Sequence, residues 1–270
     1  MAGMPIMHEF DTVLITGASA GLGEEFAMQL AGRVNHLVLT ARRENRLHEV
    51  AARLLRDNPG IKVTVIAADV SIDTERLRLI HELTARGVVP DLLVNNAGLG
   101  DYGEFASAEW PRLEAMLRVN VEALTHLAHG VLPGMIARGG GAILNVSSLA
   151  SLMPIPDFAV YAATKAYVTS FSEALRIELR EQGIAVLALC PGPVHTEFGA
   201  IARRAGGGKD MPGREFFYVP KEQVVAEGLA ALERGAARGF PAWKTALAAA
   251  MISAVPMVLL RLALATRPRR

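Results

Sequence analysis

The stretch from Thr12 to Gly23, TVLITGASAGLG, decides the fold expected for this chain. Its first five residues, TVLIT, are aliphatic or β-branched and read as a strand buried on both faces. The turn Gly17-Ala-Ser-Ala-Gly21-Leu-Gly23 follows at once, and EEFAMQLAG continues in a helical pattern. Strand, glycine-rich turn and helix in that order make a phosphate cradle. The glycines let the backbone approach a pyrophosphate, while the helix N-terminus offers free N–H groups and a partial positive charge. A glycine-rich turn alone says little; its place between a strand and a helix makes it informative.

Working outward, the next strand-like run, NHLVLTA, ends where the ribose of a dinucleotide would lie. An acid there would accept a bond from a 2′-hydroxyl, but the residues that follow are Arg42 and Arg43. A guanidinium fork suits a 2′-phosphate instead, so NADP(H) is the expected cofactor. The plainer alternative is that both arginines open a solvated helix, ENRLHEVAARLLRDN, stopped by Pro59-Gly60. KVTVIAAD then ends at Asp69-Val70, a helix is expected over 73–86, and DLLVN ends in Asn95-Asn96-Ala97-Gly98. This alternation predicts an α/β fold: a Rossmann-like, doubly wound parallel sheet with helices on both faces and ligands outside the carboxyl ends of the strands. Asp69 is placed to meet an adenine. Asn95 is expected to bond across neighbouring strand ends and hold its loop.

Chemistry is legible between Gly141 and Phe171, GAILNVSSLASLMPIPDFAVYAATKAYVTSF, where a strand ends in Ser147-Ser148 and a helix carries Tyr161 and Lys165. Residues at i and i+4 share one helical face. An unperturbed phenol ionises near pH ~10, and a cation within ~4–6 Å lowers that value, so the pair reads as an acid–base device. Ser148 would hold the substrate oxygen. The alternative is an ordinary half-exposed helix face. Earlier, a long helical pattern over 108–138 carries Asn120 between Val119 and Val121, either as a core amide bonded to backbone or as the holder of a water reaching Lys165. Later, IAVLALC ends in Pro191-Gly192-Pro193-Val194-His195-Thr196. The Thr196 hydroxyl is expected to meet a nicotinamide amide or a cofactor phosphate. His195 is either a second base or simply solvated.

At 270 residues, 51% hydrophobic and 20% charged, the chain suits one α/β domain spanning 1–270. A net charge of +1 with scattered arginines provides no field for nucleic acid. The lone cysteine, Cys190, precludes an intrachain disulfide, reads as a buried small hydrophobe, and points to a reducing, cytoplasmic setting. Acidic Glu9 and Asp11 precede only a short apolar strand, so no signal peptide is evident.

Taken together, TGASAGLG (16–23), NNAG (95–98), Asn120, Ser148, YAATK (161–165) and PGPVHT (191–196) resemble the short-chain dehydrogenase/reductase family over roughly residues 10 to 200. The resemblance implies that Tyr161 exchanges the substrate proton, and that Lys165 lowers its pKa and binds the nicotinamide ribose. It further implies that Ser148 polarises the carbonyl and Asn120 supports a proton relay. Ser148 is favoured over Ser147 because thirteen residues separate it from the tyrosine, as is usual in the family. Arg42 falls at the NADP-type position, although the basic residue some members carry inside the glycine turn is replaced by Ala20. Cofactor contacts are accordingly expected at Gly17, Ser19, Gly21, Leu22, Gly23, Arg42, Asp69, Val70, Asn96, Ala97, Gly98, Tyr161, Lys165, Pro191, Gly192, Val194 and Thr196, with no metal.

By position, 198–220 is the substrate lid, with Gly206-Gly207-Gly208 its most flexible part. Met153, Phe158, Phe198, Phe216 and Phe217 favour an apolar carbonyl, unless they are simply packing residues. The expected activity is NADPH-dependent reduction of a bulky hydrophobic ketone, or the reverse alcohol oxidation, by a homodimer or homotetramer. A 3-oxoacyl thioester reductase, with Arg203, Arg204 and Lys209 meeting a carrier or coenzyme A, is the rival; a non-catalytic NADP-binding regulator is the reading outside enzymes. The apolar extension 241–270 is too short and too interrupted by Pro256 and Arg261 to span a bilayer. It either packs on the fold or a partner subunit, or lies on an anionic membrane.

Overall fold

A computed structural model describes residues 10–204, 215–256, 258, 259 and 262. Seven strands pair in parallel: β1 (Thr12–Thr16), β2 (His36–Ala41), β3 (Lys62–Ala67), β4 (Leu92–Asn95), β5 (Gly141–Val146), β6 (Ile184–Leu189) and the two-residue β7 (Arg238–Gly239). Their order is β3-β2-β1-β4-β5-β6-β7. The chain reverses direction across the sheet between β1 and β4, the switch point at which such sheets open a ligand crevice.

Each strand is apolar throughout because both faces are covered. In β1, Val13 and Ile15 face one layer and Leu14 the other, as a period of two requires. The first layer packs α1 (Gly21–Leu30), α2 (Glu44–Asp57) and α8 (Lys221–Glu233) through Phe26, Leu47, Leu54 and Val225. The second packs α3 (Asp73–Ala85), α5 (Leu124–Ala137) and α6 (Ala159–Glu178) through Leu79, Leu127, Met135 and Leu175. The remaining helices are α4 (Trp110–Leu117), α7 (Glu197–Ala202) and α9 (Trp243–Ala254).

One helix differs from that expected. The pattern over 108–138 is not one helix: α4 and α5 are joined by a π-helical segment, Arg118–Ala123, that contains Asn120. Such bulges mark places where tertiary bonds compete with the regular ladder. Helix α6 stops at Glu178, and a short 3₁₀ turn, Arg180–Gln182, leads through Gly183 in the left-handed region into β6. The carboxyl ends of β1, β4, β5 and β6 carry, respectively, the glycine turn, the Asn96–Gly98 loop, Ser148 and the Pro191–Thr196 loop, all opening on one edge of the sheet.

Candidate active site

The cradle is held by its own backbone. Gly17 and Gly21 have positive φ, and a Cβ on Gly23 would sit 2.3 Å from the Gly17 carbonyl oxygen, so α1 reaches the turn only with glycine there. The Thr16 hydroxyl accepts from the N–H groups of Asn96 and Ala97, each at 2.9 Å. Asn96 Nδ2 donates to the carbonyls of Thr16 (2.9 Å) and Gly17 (3.3 Å). Asn96 and Ala97 therefore lock two strand ends together, and the Asn96 amide is committed to supporting the cradle. Ala20 precedes α1 without any side-chain cap, leaving first-turn N–H groups to an anion.

Around this turn the two arginines divide. Arg43 donates to Ser19 Oγ (3.3 Å) and pairs with Glu197 at 2.9 Å, tying the cradle to α7. Arg42 is exposed and makes no ion pair among the described residues. Thr196 lies over Gly21, whose added Cβ would be 3.4 Å from it, and its hydroxyl accepts from Phe198 N–H at the start of α7. Asp69 accepts from the N–H and hydroxyl of Ser71, closing the turn after β3. The Val70 carbonyl accepts from the buried guanidinium of Arg76 at 2.8 Å, and Arg76 is held in turn by Glu122 and His126, partners too distant along the chain for the sequence to single out. Pro191 accepts from Leu149 N–H, Gly192 packs beneath Thr245 of α9, and Val194 bridges to Val219.

At the other end of the crevice, Lys165 Nζ is buried and donates to the Val146 carbonyl at 2.8 Å. The position of a Cβ on Gly98 would be 3.5 Å from both that nitrogen and Asn120 Oδ1, so loop, helix and π segment converge. Asn120 Oδ1 accepts from Leu99 N–H (2.8 Å), and its Nδ2 donates to Leu99 O (2.9 Å) and Thr164 Oγ1 (3.0 Å). Both amide hydrogens are therefore engaged within the protein. Ser147 donates to the Lys165 carbonyl and shares a 2.7 Å bond with Thr169, inside the core. Ser148 faces outward from β5, accepts from Ala150 N–H at 3.1 Å and interacts with the Tyr161 phenol.

Burial acts on both groups of the pair. Burial pushes the Tyr161 phenol up to about 12, and Ser148 only partly opposes this. Burial likewise brings Lys165 down to about 8. The ammonium sits 5.7 Å from the ring centroid and is anchored on Val146, which places it beside the phenol.

The reason for that burial is an aromatic wall. Phe158 stacks on Tyr161 with centroids 4.2 Å apart, Phe198 of α7 leans against it at 5.5 Å, and Tyr102 meets Phe158 edge-on at 5.7 Å. Phe216 and Phe217 instead contact each other, with Lys244 over the Phe216 ring. His195 stacks on Tyr218 and pairs with Glu215 at 3.0 Å, which joins the loop after β6 to the Glu215–Tyr218 segment. Arg204 is spent: it makes three hydrogen bonds to the buried Asp101 carboxylate, 2.5 to 3.1 Å, and is thereby removed from any carrier-binding patch. Lys209 and Gly206–Gly208 lie outside the described residues.

Comparison with known proteins agrees with this geometry. Residues 11–205 match the family described as short chain dehydrogenase. Sulfoacetaldehyde reductase 2 of Chromohalobacter salexigens is 36% identical over 82% of this chain and 86% of its own length. The very-long-chain 3-oxoacyl-CoA reductase of Rattus norvegicus is 33% identical over 80% and 68%. Among solved structures, a short-chain dehydrogenase from Sphingobium yanoikuyae in complex with NADPH superposes with a TM-score of 0.79 at 31% identity, covering 96% and 97% of the two chains. The bulky-bulky ketone specific alcohol dehydrogenase from Comamonas testosteroni does so with a TM-score of 0.77 at 26% identity, covering 97% and 96%. A switch-point crevice with an uncapped glycine cradle at one end and Ser148, Tyr161 and Lys165 at the other, matched along most of its length, makes the chain a member of the short-chain dehydrogenase/reductase family of oxidoreductases.

Proposed function

We propose that the protein is an NADPH-dependent carbonyl reductase that interconverts a bulky hydrophobic ketone and its secondary alcohol. The observation that carries this reading is the buried Tyr161 walled by Phe158 and Phe198 beside Lys165. NADP(H) fits the residues present: the uncapped start of α1 at Gly21, Leu22 and Gly23 suits the pyrophosphate, and the exposed Arg42 suits the 2′-phosphate. Ser19, Asp69, Val70, Gly98, Pro191, Gly192, Val194 and Thr196, which follow the carboxyl ends of the strands, belong to the same proposed cofactor site. When bound, the cofactor supplies or accepts the hydride. Tyr161 gives its proton to the carbonyl oxygen, Ser148 donates a second hydrogen bond to that oxygen, and Lys165 supplies positive charge that stabilises the phenolate as it forms. Asn120, whose side chain ties the Leu99 loop to Thr164 beside Lys165, supports a proton relay in this reading.

The site residues, a single domain over 1–270, a cytoplasmic setting and a homodimer or homotetramer belong to the same proposal. A 3-oxoacyl thioester reductase is the second reading, supported by the similarity to the rat enzyme; the commitment of Arg204 to Asp101 weighs against it. A regulator without turnover has no use for a buried phenol and ammonium, whose desolvation costs stability. Following NADPH consumption with bulky aryl ketones, long-chain 3-oxoacyl thioesters and sulfoacetaldehyde separates these readings. Fastest turnover of the ketones is expected, and exclusive turnover of the thioesters would reverse the order.

Two further outcomes are expected. Arg42→Asp should reverse the cofactor preference, reducing the NADPH to NADH ratio of kcat/KM by about tenfold to a hundredfold, the loss of one charge-assisted phosphate contact. An unchanged ratio would remove Arg42 from the cofactor site. Because Lys165 loses its proton as pH rises through about 8 whereas Tyr161 keeps its own to about 12, kcat/KM for reduction should be level below neutrality and decline above about 8. Lys165→Arg, charged throughout this range, should carry that decline to higher pH.

A further inference from the structure

Helix α9 has its polarity arranged in an unusual way. Thr245 and Ala249 are buried against the fold, and Thr245 packs over Gly192 of the cofactor-side loop. The opposite face carries Trp243, Ala246, Leu247, Ala250, Met251 and Ala254, at spacings of three and four that keep them in one stripe. A surface helix ordinarily turns charged and polar residues to water. Here Trp243 is 67%, Leu247 50% and Met251 55% exposed. Val255, Val258, Leu259 and Leu262, which follow α9 in the chain, are exposed as well, as is Phe216 under Lys244. Exposed large apolar side chains gathered on one helix face mark an interaction surface.

What covers it is indicated by charge. From Trp243 to Arg270 the sequence contains Lys244, Arg261, Arg267, Arg269 and Arg270, and no Asp or Glu. Lys244 alone of these lies among the described residues, and a segment of this net positive charge would repel a second copy of itself. An anionic lipid surface would meet the apolar stripe with its acyl boundary and the basic residues with its headgroups, and an exposed Trp suits that interface. No described helix is long and apolar enough to cross a membrane. We propose that α9 is a docking surface that lays the protein on an anionic bilayer, with Trp243, Leu247 and Met251 immersed.

The consequence for catalysis rests on the reductase reading above. The same helix packs against Leu149–Leu152, directly after Ser148, and Lys244 donates to the Phe216 carbonyl of the lid at 2.9 Å. Docking would set the lid and the Ser148 edge of the crevice at the lipid boundary, where a hydrophobic ketone dissolved in the bilayer could enter without crossing water.

Vesicle flotation of the full chain tests this. Binding to phosphatidylcholine vesicles containing about a third phosphatidylglycerol is expected, with at least tenfold less on pure phosphatidylcholine and a steep decline with salt, since each basic residue near the surface contributes about fivefold. Leu247→Glu/Met251→Glu should abolish binding while leaving turnover of a water-soluble ketone and the oligomeric state unchanged. Equal binding by that variant, or no binding by the wild type, would overturn the proposal. So would a shift of the variant to a smaller oligomer, which would assign the stripe to a second copy. Vesicle binding with no reductase activity on any ketone would leave the docking surface standing and refute only the substrate argument.

Discussion

Replacing Tyr161 with Phe should lower kcat for ketone reduction by about 10²- to 10⁴-fold, the usual worth of a positioned general acid. The substitution removes one oxygen and keeps the ring that Phe158 stacks on and Phe198 leans against, so the aromatic wall should survive. NADPH affinity, measured by fluorescence titration, should stay within about twofold, since the ring remains and the cradle at Gly17–Gly23 is untouched. The split between the two measurements is what matters. Undiminished kcat would remove Tyr161 from the chemistry, whereas loss of NADPH binding together with turnover would indicate collapse of the site. Ser148→Ala should lie between these extremes, because the phenol would still supply the proton while the carbonyl oxygen lost one donor.

The sheet was readable because its signals are local. The strands are continuous aliphatic runs, and the turn after β1 declares itself by glycines that must adopt positive φ or admit the Gly17 carbonyl. Tyr161 and Lys165 were readable for the same reason, since four residues on a helix fix their shared face. What escaped depends on partners far along the chain. The π segment is coupled to Asn120 and Leu99, 21 residues apart, and no periodicity announces it. The burial of Tyr161 also escaped, because Phe198, which leans against its ring, is delivered by a different helix. Arg43 looked like a companion of Arg42, yet its bonds to Ser19 and Glu197 give it a separate task. β7 is two residues long, too short for any pattern to register.

Asp101 shows how much a distant pairing can decide, and Asp101→Ala should produce the largest loss of stability outside the aliphatic core. Its side chain is 1% exposed, three of its hydrogen bonds come from Arg204 and one from Arg112. Arg204 also donates to the Glu104 carbonyl and to Ser107, so this node fastens the segment after α7 to the loop that follows β4. Removing the carboxylate leaves a largely buried guanidinium without its counter-charge, a change that costs about 3–5 kcal/mol. For a chain of this size that is a fall in Tm of roughly 6–20 °C by calorimetry. The double variant Asp101→Ala/Arg204→Ala should lose much less than the sum of the single variants, because no charge is stranded. Burial pushes the Asp101 carboxyl up, but Arg204 and Arg112 more than offset it and hold it below its usual value. The node is therefore fully formed at neutral pH, and its contribution should disappear as pH falls below about 3.8 toward the depressed folded value, with the Asp101→Ala variant lacking that part of the acid sensitivity. Because α7 carries Phe198 against Tyr161, loosening the node should also raise KM for bulky ketones more than it lowers kcat. Unchanged Tm and KM in Asp101→Ala would mean that the lid is held by other contacts, the Arg43–Glu197 pair first among them.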